Sequence, residues 1–226
     1  MNAVAILPVK NLSNAKSRLS NVLDLELRKE FVTSMLRDVT KALVHASSID
    51  KVVIVTPDKS ISNVISLSSK ISIIYDEGSG QIPAVVKALN LVSRYMKPRI
   101  VLLTVVDVPL IKSKDINDII KLAQYKTVVM VPSINGGTNV IAQHPPGLVE
   151  LKYGKDSFRK HLLQAALKDI NVEIYVSPHI VFDVDDANDL KLLLDICLRN
   201  NDVNDTETCM FMEKMIRVNG FKINSK

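Results

Sequence analysis

The segment I-V-L-L-T-V-V-D-V-P-L, residues 100–110, contains the most apolar strand candidate of the chain, and that candidate ends on a carboxylate. Its first seven residues are aliphatic or β-branched, as are most of residues 3–9 (A-V-A-I-L-P-V) and 51–56 (K-V-V-I-V-T). Such runs are typical of strands buried on both faces, which occur mainly in parallel sheets covered by helices. The sequence therefore predicts an α/β protein with a mostly parallel (mixed) sheet and helices on both faces.

Strand and helix patterns alternate along the rest of the chain. Apolar residues recur at helical spacing between residues 31 and 43, and Asp24 and Glu26 stand near the predicted start of that helix, where its dipole favours acids. Pro83 fits the first turn of a second helix, and Ser113 is predicted as the N-cap of a third. Further helices are predicted at 156–167 and 186–198, and further strands at 72–75, 127–132, 139–142, 172–176 and 180–184.

The last residues differ in character from the rest. Residues 1–199 are predicted to form one domain, which is long enough to bury a substantial core. Residues 200–226 begin with the polar N-N-D-V-N-D-T-E-T and continue with M-F-M-E-K-M-I-R-V, which holds three of the seven methionines. We interpret this C-terminal extension as a helix docked on the core or on a second subunit, so a homodimer is one predicted assembly.

The composition narrows the classes of partner. The net charge is +5, no Lys/Arg run is dense, Trp is absent and aromatic residues make up 4% of the chain. The charge alone is compatible with a nucleic-acid surface and equally with a site for phosphorylated metabolites. The scarcity of aromatic residues and the absence of a dense basic run argue against nucleic acid. No apolar run approaches the length of a membrane span, and the amino terminus lacks the features of a signal peptide. We therefore expect a cytoplasmic protein that binds small molecules and neither nucleic acid nor membrane.

The chain has two cysteines, Cys197 and Cys209, and neither belongs to a C-x-x-C pair. Its four histidines are scattered through the sequence. The sequence therefore predicts neither a structural zinc site nor a disulfide framework.

Acidic residues accompany two of the predicted strands. Asp107 comes directly after residues 100–106, and Asp183 and Asp185 alternate along V-F-D-V-D at 181–185, so both would point to one side. A carboxylate at the end of a buried strand is well placed to hold a divalent cation, although D-V-P-L is also favourable turn chemistry. Asp107 paired with Asp185 would form a sparse Mg²⁺ site in which phosphates supply the remaining oxygens.

The loop after the first strand is basic. It carries Lys10, Lys16 and Arg18, and cations gathered where a loop leaves a sheet suit phosphate recognition. The loop is not a Walker A loop, because it has no glycine and no G-K-[ST]. A solvated basic loop is the alternative interpretation.

Residues 133–161 read S-I-N-G-G-T-N-V-I-A-Q-H-P-P-G-L-V-E-L-K-Y-G-K-D-S-F-R-K-H and hold four of the seven glycines. Glycine is favoured where backbone approaches a ligand closely or adopts positive φ. The surrounding hydroxyl, amide and cationic groups indicate a pocket for an anion.

Several motifs occur together and in order: A-I-L-P-V-K with N-A-K-S-R-L-S, the D-E-G at 76–78, T-V-V-D-V-P-L, P-S-I-N-G-G-T-N, Y-G-K-D-S-F-R-K-H and F-D-V-D-D-A-N-D-L. This succession resembles the CofC family, the 2-phospho-L-lactate guanylyltransferases of coenzyme F420 biosynthesis. The resemblance covers about residues 1–196. Its most specific parts are G-G-T-N and Y-G-x-x-S-F-x-x-H, whereas the acidic motifs are common to a wider superfamily.

The resemblance implies a compact fold of the glycosyltransferase-A-like, nucleotide-diphospho-sugar transferase type. It also implies transfer of GMP from GTP to a small phosphorylated carboxylic acid, with release of pyrophosphate. Family members bind that acid through a threonine, a glycine and a serine, which match Thr138, Gly154 and Ser157. Phospholactate, phosphoenolpyruvate and phosphoglycerate all fit such donors.

The remaining site residues follow from the same resemblance. Asp107 would bind Mg²⁺ together with Asp185 or Asp183. The cations of the first loop (Lys10, Lys16 and Arg18) would surround the triphosphate. Asp76 and Gly78 would lie near the base or ribose, although the loop after them reads S-G-Q-I-P where family members usually show Gly-Leu-Asn.

Two alternatives stand beside this hypothesis. One is another nucleotidyltransferase of the same fold, acting on a sugar phosphate or molybdopterin. The other is a non-catalytic nucleotide-binding module. We would expect such a module to have lost both acidic motifs. Both motifs are present here, which favours an enzyme.

Overall fold

The computed structural model describes residues 2–65, 68–78 and 80–219. Its strands are β1 (Ala3–Pro8), β2 (Lys51–Thr56), β3 (Ile71–Tyr75), β4 (Ile100–Thr104), β5 (Thr127–Pro132), β6 (Thr138–His144) and β7 (Asn171–Ile174). They form one sheet in the order β3-β2-β1-β4-β6-β5-β7. All neighbouring pairs are parallel except the two that contain β6. The predicted mostly parallel, mixed sheet is confirmed.

Helices cover both faces of this sheet. They are α1 (Leu25–His45), α2 (Ile61–Val64), α3 (Gln81–Tyr95), α4 (Ser113–Leu122), α5 (Ser157–Leu167), α6 (Ala187–Arg199) and α7 (Glu207–Asn219). Helices α1, α4, α6 and α7 contribute to one apolar layer, and α3 and α5 contribute to the other. Along β1, Ala5 and Leu7 face the first layer and Val4 and Ile6 face the second. This two-sided burial explains the unbroken apolar runs, since each buried aliphatic side chain contributes about 1.5–3 kcal/mol.

The start of α4 differs from the prediction. Ser113 is the first residue of the helix, and Lys112 occupies the cap position. The carboxylate of Asp115 accepts a hydrogen bond from the backbone N–H of Lys112 at 3.1 Å. Asp115 therefore stabilises the helix start from inside the first turn, which is the role that the prediction gave to a serine hydroxyl.

Residues 180–184 are not a strand. Ile180, Phe182 and Val184 are buried, and the residues between them are half-buried, so the alternation read from the sequence is present. The segment nevertheless has no strand ladder: Val184 N–H donates to Asp107 O and Ile134 N–H donates to Val181 O, each at 2.9 Å, and Ile180 and Val181 N–H make turn bonds to Ser177 O. Alternating burial requires only an extended chain, whereas a strand also requires a hydrogen-bonded neighbour. The burial pattern therefore predicted a strand where the chain is only extended.

The prediction that the cysteines form no disulfide framework is wrong. Cys197 in α6 and Cys209 in α7 form a disulfide, with their Cα atoms 5.2 Å apart. The pairing depends on how two helices pack, and no local cysteine spacing signals that arrangement.

Helix α7 is also held by α1. The buried carboxylate of Asp38 accepts hydrogen bonds from the backbone N–H groups of Glu207 and Thr208 and from the Thr208 hydroxyl, at 2.9, 2.8 and 2.6 Å. The ring of Phe211 lies 5.6 Å from that of Phe31, centroid to centroid. Asp38 therefore caps the start of α7 from another helix. Residues 220–226 of the predicted extension lie outside the described residues.

Among the described helices, none combines the length and apolar character that a bilayer crossing requires.

Candidate active site

Most of the predicted site residues lie at one edge of the sheet, where the parallel strands end. Lys10 follows β1, Asp76 follows β3 and Asp107 follows β4. Thr138 opens β6, and because β6 runs antiparallel to β4 its first residue lies at the same edge. In open α/β sheets this edge is the usual position of a ligand site.

Lys16 is the centre of the best-defined polar cluster. Its Nζ lies 2.8 Å from Asp107 Oδ1 and 2.9 Å from Asp185 Oδ1, and its side chain is 8% exposed. The backbone of Lys16 is left-handed, with φ of 51°. A non-glycine residue adopts that conformation at a cost of about 1–2 kcal/mol, and such residues often occur at functional sites. The unusual backbone directs this lysine between two carboxylates from distant parts of the chain.

The charges of this cluster support one another. Burial alone would lower the pKa of Lys16, but Asp107 and Asp185 outweigh burial and hold the pKa above its usual value. Burial would raise the pKa of Asp185, but Lys16, Arg18 and Lys10 together lower it below its usual value. The guanidinium of Arg18 is 4.0 Å from Asp185 Oδ2 and its side chain is 76% exposed. The structure thus brings all three predicted cations into the field of one carboxylate.

Asp183 lies near the same carboxylates and has no ion-pair partner among the described residues. Burial raises its pKa to about 6, the charges of Asp185 and Asp107 add to the increase, and the Asn139 side chain opposes it. Its Oδ1 atom is buried without a hydrogen-bond partner. A buried, unpaired carboxylate oxygen is costly unless a cation or donor satisfies it. Among the observations at this site, this buried oxygen fits a bound cation best.

The donor set suits a sparse site for a divalent cation. Among the described residues, no three His, Cys, Asp or Glu side chains are grouped closely enough to hold a metal by themselves. Asp107 and Asp185 nevertheless already share the cationic group of Lys16, and Asp183 offers a free oxygen nearby. Carboxylate oxygens completed by phosphates are the usual environment of protein-bound Mg²⁺. The residues present therefore fit Mg²⁺.

The two halves of the glycine-rich segment meet at the start of α5. The backbone N–H of Phe158 donates to Gly136 O at 3.3 Å. Ser157 Oγ lies 3.3 Å from Thr138 Oγ1. A side chain on Gly137 would place its Cβ 2.9 Å from Ser133 Oγ, so only glycine fits there without a rearrangement. Thr138 and Ser157 are both buried, and they form part of a hydrogen-bonded network.

His161 belongs to this network, and the sequence reading missed it as a site residue. Its Nδ1 lies 3.0 Å from Thr138 Oγ1, and its Nε2 accepts the backbone N–H of Lys152 at 2.9 Å. Burial lowers the pKa of His161 to about 4, and the charge of Lys152 lowers it further. The available signal was its spacing of four residues from Ser157, which puts both side chains on one face of α5.

Asp76 and Gly78 stand apart from the Lys16 cluster. The Gly78 N–H donates to Asp76 Oδ2 at 3.1 Å, and Asp76 Oδ1 is buried without a partner. Within the described residues, no hydrogen bond or ion pair joins them to Lys16, Asp107 or Asp185. Ser79, which begins the divergent loop, lies outside the described residues.

The fold is shared with nucleotide-transferring enzymes of known structure. A Desulfovibrio desulfuricans G20 protein, provisionally described as a nucleotide-diphospho-sugar transferase, aligns with TM-score 0.77 and 14% identity over 96% of each chain. A nucleotidyl transferase from Methanothermobacter thermautotrophicus aligns with TM-score 0.64 and 16% identity, over 88% of this chain and 99% of the other. A 4-diphosphocytidyl-2C-methyl-D-erythritol synthase from Anaerococcus prevotii aligns with TM-score 0.63 and 11% identity, over 88% and 96%. The fold is therefore that of the nucleotidyltransferases.

Sequence comparison defines the family within this class. The model of the CofC-like guanylyl transferases matches residues 3–223, and the chain belongs to that family. The match extends well beyond residue 196, where the recognisable motifs end. The chain is 34% identical to the 2-phospho-L-lactate guanylyltransferase of Methanocaldococcus jannaschii over 185 residues, which cover 82% of this chain and 79% of the relative. It is 30% identical to the enzyme of that name from Methanobrevibacter ruminantium over 230 aligned positions, covering 98% and 93%.

Proposed function

We propose that this chain transfers GMP from GTP to 2-phospho-L-lactate or phosphoenolpyruvate, releases pyrophosphate, and so forms lactyl-2-diphospho-5′-guanosine or its enol analogue in coenzyme F420 biosynthesis. The observation that carries the proposal is the position of Lys16 between Asp107 and Asp185, at the sheet edge that Thr138 also occupies. Family membership and the names of the relatives support guanylyl transfer.

The reaction makes modest chemical demands on the protein. A phosphate oxygen of the phosphoacid attacks the α-phosphorus of GTP, a new P–O bond forms, and the bond to the β-phosphate oxygen breaks. The leaving group is pyrophosphate. The attacking phosphate is mostly dianionic at neutral pH, because its second pKa is about 6. No general base is needed, and catalysis reduces to positioning and charge stabilisation.

The cations of the first loop supply most of that charge stabilisation. The charges of Lys10, Lys16 and Arg18 all lower the pKa of Asp185, so the three cations form a positive region at this edge of the sheet. In the proposed complex Lys16 contacts the triphosphate while it remains close to Asp107. A buried cation stabilises developing negative charge strongly, because little water screens it.

Asp107 and Asp185 would hold Mg²⁺, with Asp183 as a further oxygen ligand. When bound, the ion neutralises charge on the triphosphate and polarises its phosphorus–oxygen bonds. The unpaired Asp183 Oδ1 supports this assignment, because a cation would remove the cost of burying it.

Thr138, Gly154 and Ser157 are proposed to bind the phosphoacid. Gly154 has φ of 87° and precedes the first turn of α5, and a Cβ on it would meet open space. Backbone N–H groups near the start of a helix favour anions. The side chain of Asn139, which follows Thr138, lowers the pKa of Asp183, and this supports neighbouring positions for the proposed phosphoacid and metal sites.

Asp76 and Gly78 are proposed to lie near the base or ribose. The unpaired Oδ1 atom of Asp76 is an acceptor that a nucleoside donor could satisfy. We further propose a cytoplasmic location, where GTP and phosphorylated acids occur. The homodimer stays a prediction, although the methionine-rich extension buries Met212 and Met215 against its own chain.

A panel of substrate pairs tests the proposed function. Purified protein with Mg²⁺ is given GTP with phospholactate, phosphoenolpyruvate or phosphoglycerate, and pyrophosphate release is measured. GTP with phospholactate or phosphoenolpyruvate should give turnover, and the nucleotide product should carry the acid by mass spectrometry.

Two sets of controls separate the alternatives. CTP or UTP with a sugar phosphate should give no turnover, and turnover with such a pair would favour another nucleotidyltransferase of this fold. Nucleotide binding without pyrophosphate release from any pair would contradict an enzymatic function and favour a binding module.

A further inference from the structure

The hydrogen bonds around His161 determine which of its nitrogens carries a proton. Nε2 accepts the backbone N–H of Lys152 at 2.9 Å, so Nε2 has no proton. A neutral imidazole has one N–H, which must then be on Nδ1. The imidazole is 1% exposed, and its lowered pKa of about 4 keeps it neutral at physiological pH. Because Nδ1 lies 3.0 Å from Thr138 Oγ1, the Nδ1–H donates to Thr138.

Thr138 therefore receives hydrogen bonds from two sides. Its oxygen accepts from His161 Nδ1–H and, at the longer distance of 3.3 Å, from the Ser157 hydroxyl. A hydroxyl oxygen has two acceptor sites and one hydrogen. Both acceptor sites are filled, and among the described residues no hydrogen bond is donated by the Thr138 hydroxyl. That hydrogen is the only hydrogen-bonding capacity that Thr138 has left for a ligand.

We propose that His161 is a positioning residue for the phosphoacid: its Nδ1–H holds Thr138 Oγ1 as an acceptor, so that the Thr138 hydroxyl must donate to the ligand. This inference rests on the proposed function, since that function assigns the phosphoacid to Thr138. The arrangement selects for a ligand that accepts hydrogen bonds, such as a phosphate or carboxylate oxygen. His161 does not touch the ligand and transfers no proton.

The chain offers a matched pair of substitutions at this position. In His161→Asn the side-chain amide lies near the former Nδ1 and can still donate to Thr138. In His161→Gln the amide lies near the former Nε2, so it can pair with the Lys152 N–H but not with Thr138. A purely structural role predicts similar effects of the two variants, whereas a positioning role predicts a larger effect of His161→Gln.

Steady-state kinetics with GTP and the phosphoacid provide the first test. His161→Gln should raise the KM for the phosphoacid about tenfold, which corresponds to one hydrogen bond to a charged ligand, and leave the KM for GTP unchanged. His161→Asn should retain most of the wild-type KM. In a Thr138→Val background, His161→Gln should cause no further change, because its effect passes through Thr138. An unchanged phosphoacid KM in His161→Gln, or a full effect of that change in the Thr138→Val background, would overturn the inference.

Nitrogen NMR of the wild-type imidazole provides a test that needs neither turnover nor a stable variant. The ¹⁵N shifts of His161 should identify the neutral form protonated at Nδ1, and they should stay constant between pH 6 and 8. A proton on Nε2, or a charged ring at pH 7, would overturn the inference. Absence of wild-type turnover with every phosphoacid would instead reject the proposed function, so the two failures are distinguishable.

Discussion

The side-chain nitrogen of Lys16 lies 2.8 Å from Asp107 Oδ1, although the two residues follow different strands and are far apart in the sequence. The same nitrogen is 2.9 Å from Asp185 Oδ1. One ammonium therefore offsets part of the charge of two carboxylates, which are the proposed ligands of Mg²⁺. This relationship connects the first loop to the carboxyl ends of β4 and the 180–185 segment.

Replacing Lys16 by Met should abolish most of the GMP transfer. The loss of the buried cation removes charge stabilisation from the transferring phosphoryl group, and we expect kcat to fall about 100-fold or more. The freed carboxylates should also bind Mn²⁺ more tightly in the absence of nucleotide, which electron paramagnetic resonance can measure. Lys29→Met is the matched control, because Lys29 pairs with Glu26 on the exposed surface of α1. Equal loss of activity in both variants would contradict the assignment.

Asp107→Asn should abolish turnover and leave the fold intact. The change preserves the shape of a half-exposed side chain at the strand end but removes its charge, so kcat should fall while the native fold is kept. Because the ion pair with Lys16 is lost, we also expect a lower melting temperature. Circular dichroism and thermal unfolding check the fold, and pyrophosphate release checks the activity. Asp118→Asn, in an exposed i,i+4 pair with Lys114, should change neither quantity. Near-normal guanylyl transfer by Asp107→Asn would reject its proposed metal role.

Asp183→Asn should stabilise the metal-free protein while it lowers activity. The carboxylate has a buried oxygen without a partner and lies near two other acids, so removing its charge relieves desolvation and repulsion. We expect a gain of about 1 kcal/mol or more in the free energy of unfolding, measured by urea denaturation without Mg²⁺. Asp185→Asn is the informative comparison, since it breaks the pairing with Lys16 and should destabilise. Destabilisation by both changes would show that Asp183 is already satisfied.

Removal of the Cys197–Cys209 disulfide should lower stability without affecting catalysis. The bond joins cysteines 12 residues apart, and closing a loop of this size is worth about 3 kcal/mol in the chain-entropy model. Unfolding of the wild-type protein should therefore be sensitive to reductant, and the Cys197→Ser/Cys209→Ser variant should not be. The kcat should be the same in both, because the bond lies between α6 and α7 and not at the sheet edge. A large loss of kcat in the variant would place the C-terminal helices in the active site.

The sequence predicted the features that depend on local pattern. The strand that precedes Asp107 is a continuous apolar run, because both of its faces are buried. That run predicted the covered sheet, and the aspartate directly after it predicted a carboxylate at the strand end. Residues 180–184 show the limit of this reasoning, because alternating burial persists there without a pairing strand.

The features that escaped prediction depend on tertiary placement. The left-handed backbone at Lys16 carries its side chain to carboxylates that are distant in sequence, and no local pattern signals this geometry. The same holds for the cysteine pair, which meets only because α6 and α7 pack together. His161 was within a recognised motif, but its role depends on a backbone N–H from Lys152 that the motif does not indicate.

The bond between Cys197 and Cys209 turns the connection between the last two helices into a covalently closed ring. A protease that cuts once within residues 198–208 would open the ring without releasing α7, since the sulfur bridge still joins the two pieces. Such a nicked protein would migrate as one species on a non-reducing gel and as two after reduction. If the cut falls before Glu207, the new fragment keeps the backbone N–H groups of Glu207 and Thr208. These groups donate to Asp38, so they would also hold the fragment against α1. The polar connection can therefore be cut once without the loss of the terminal helix.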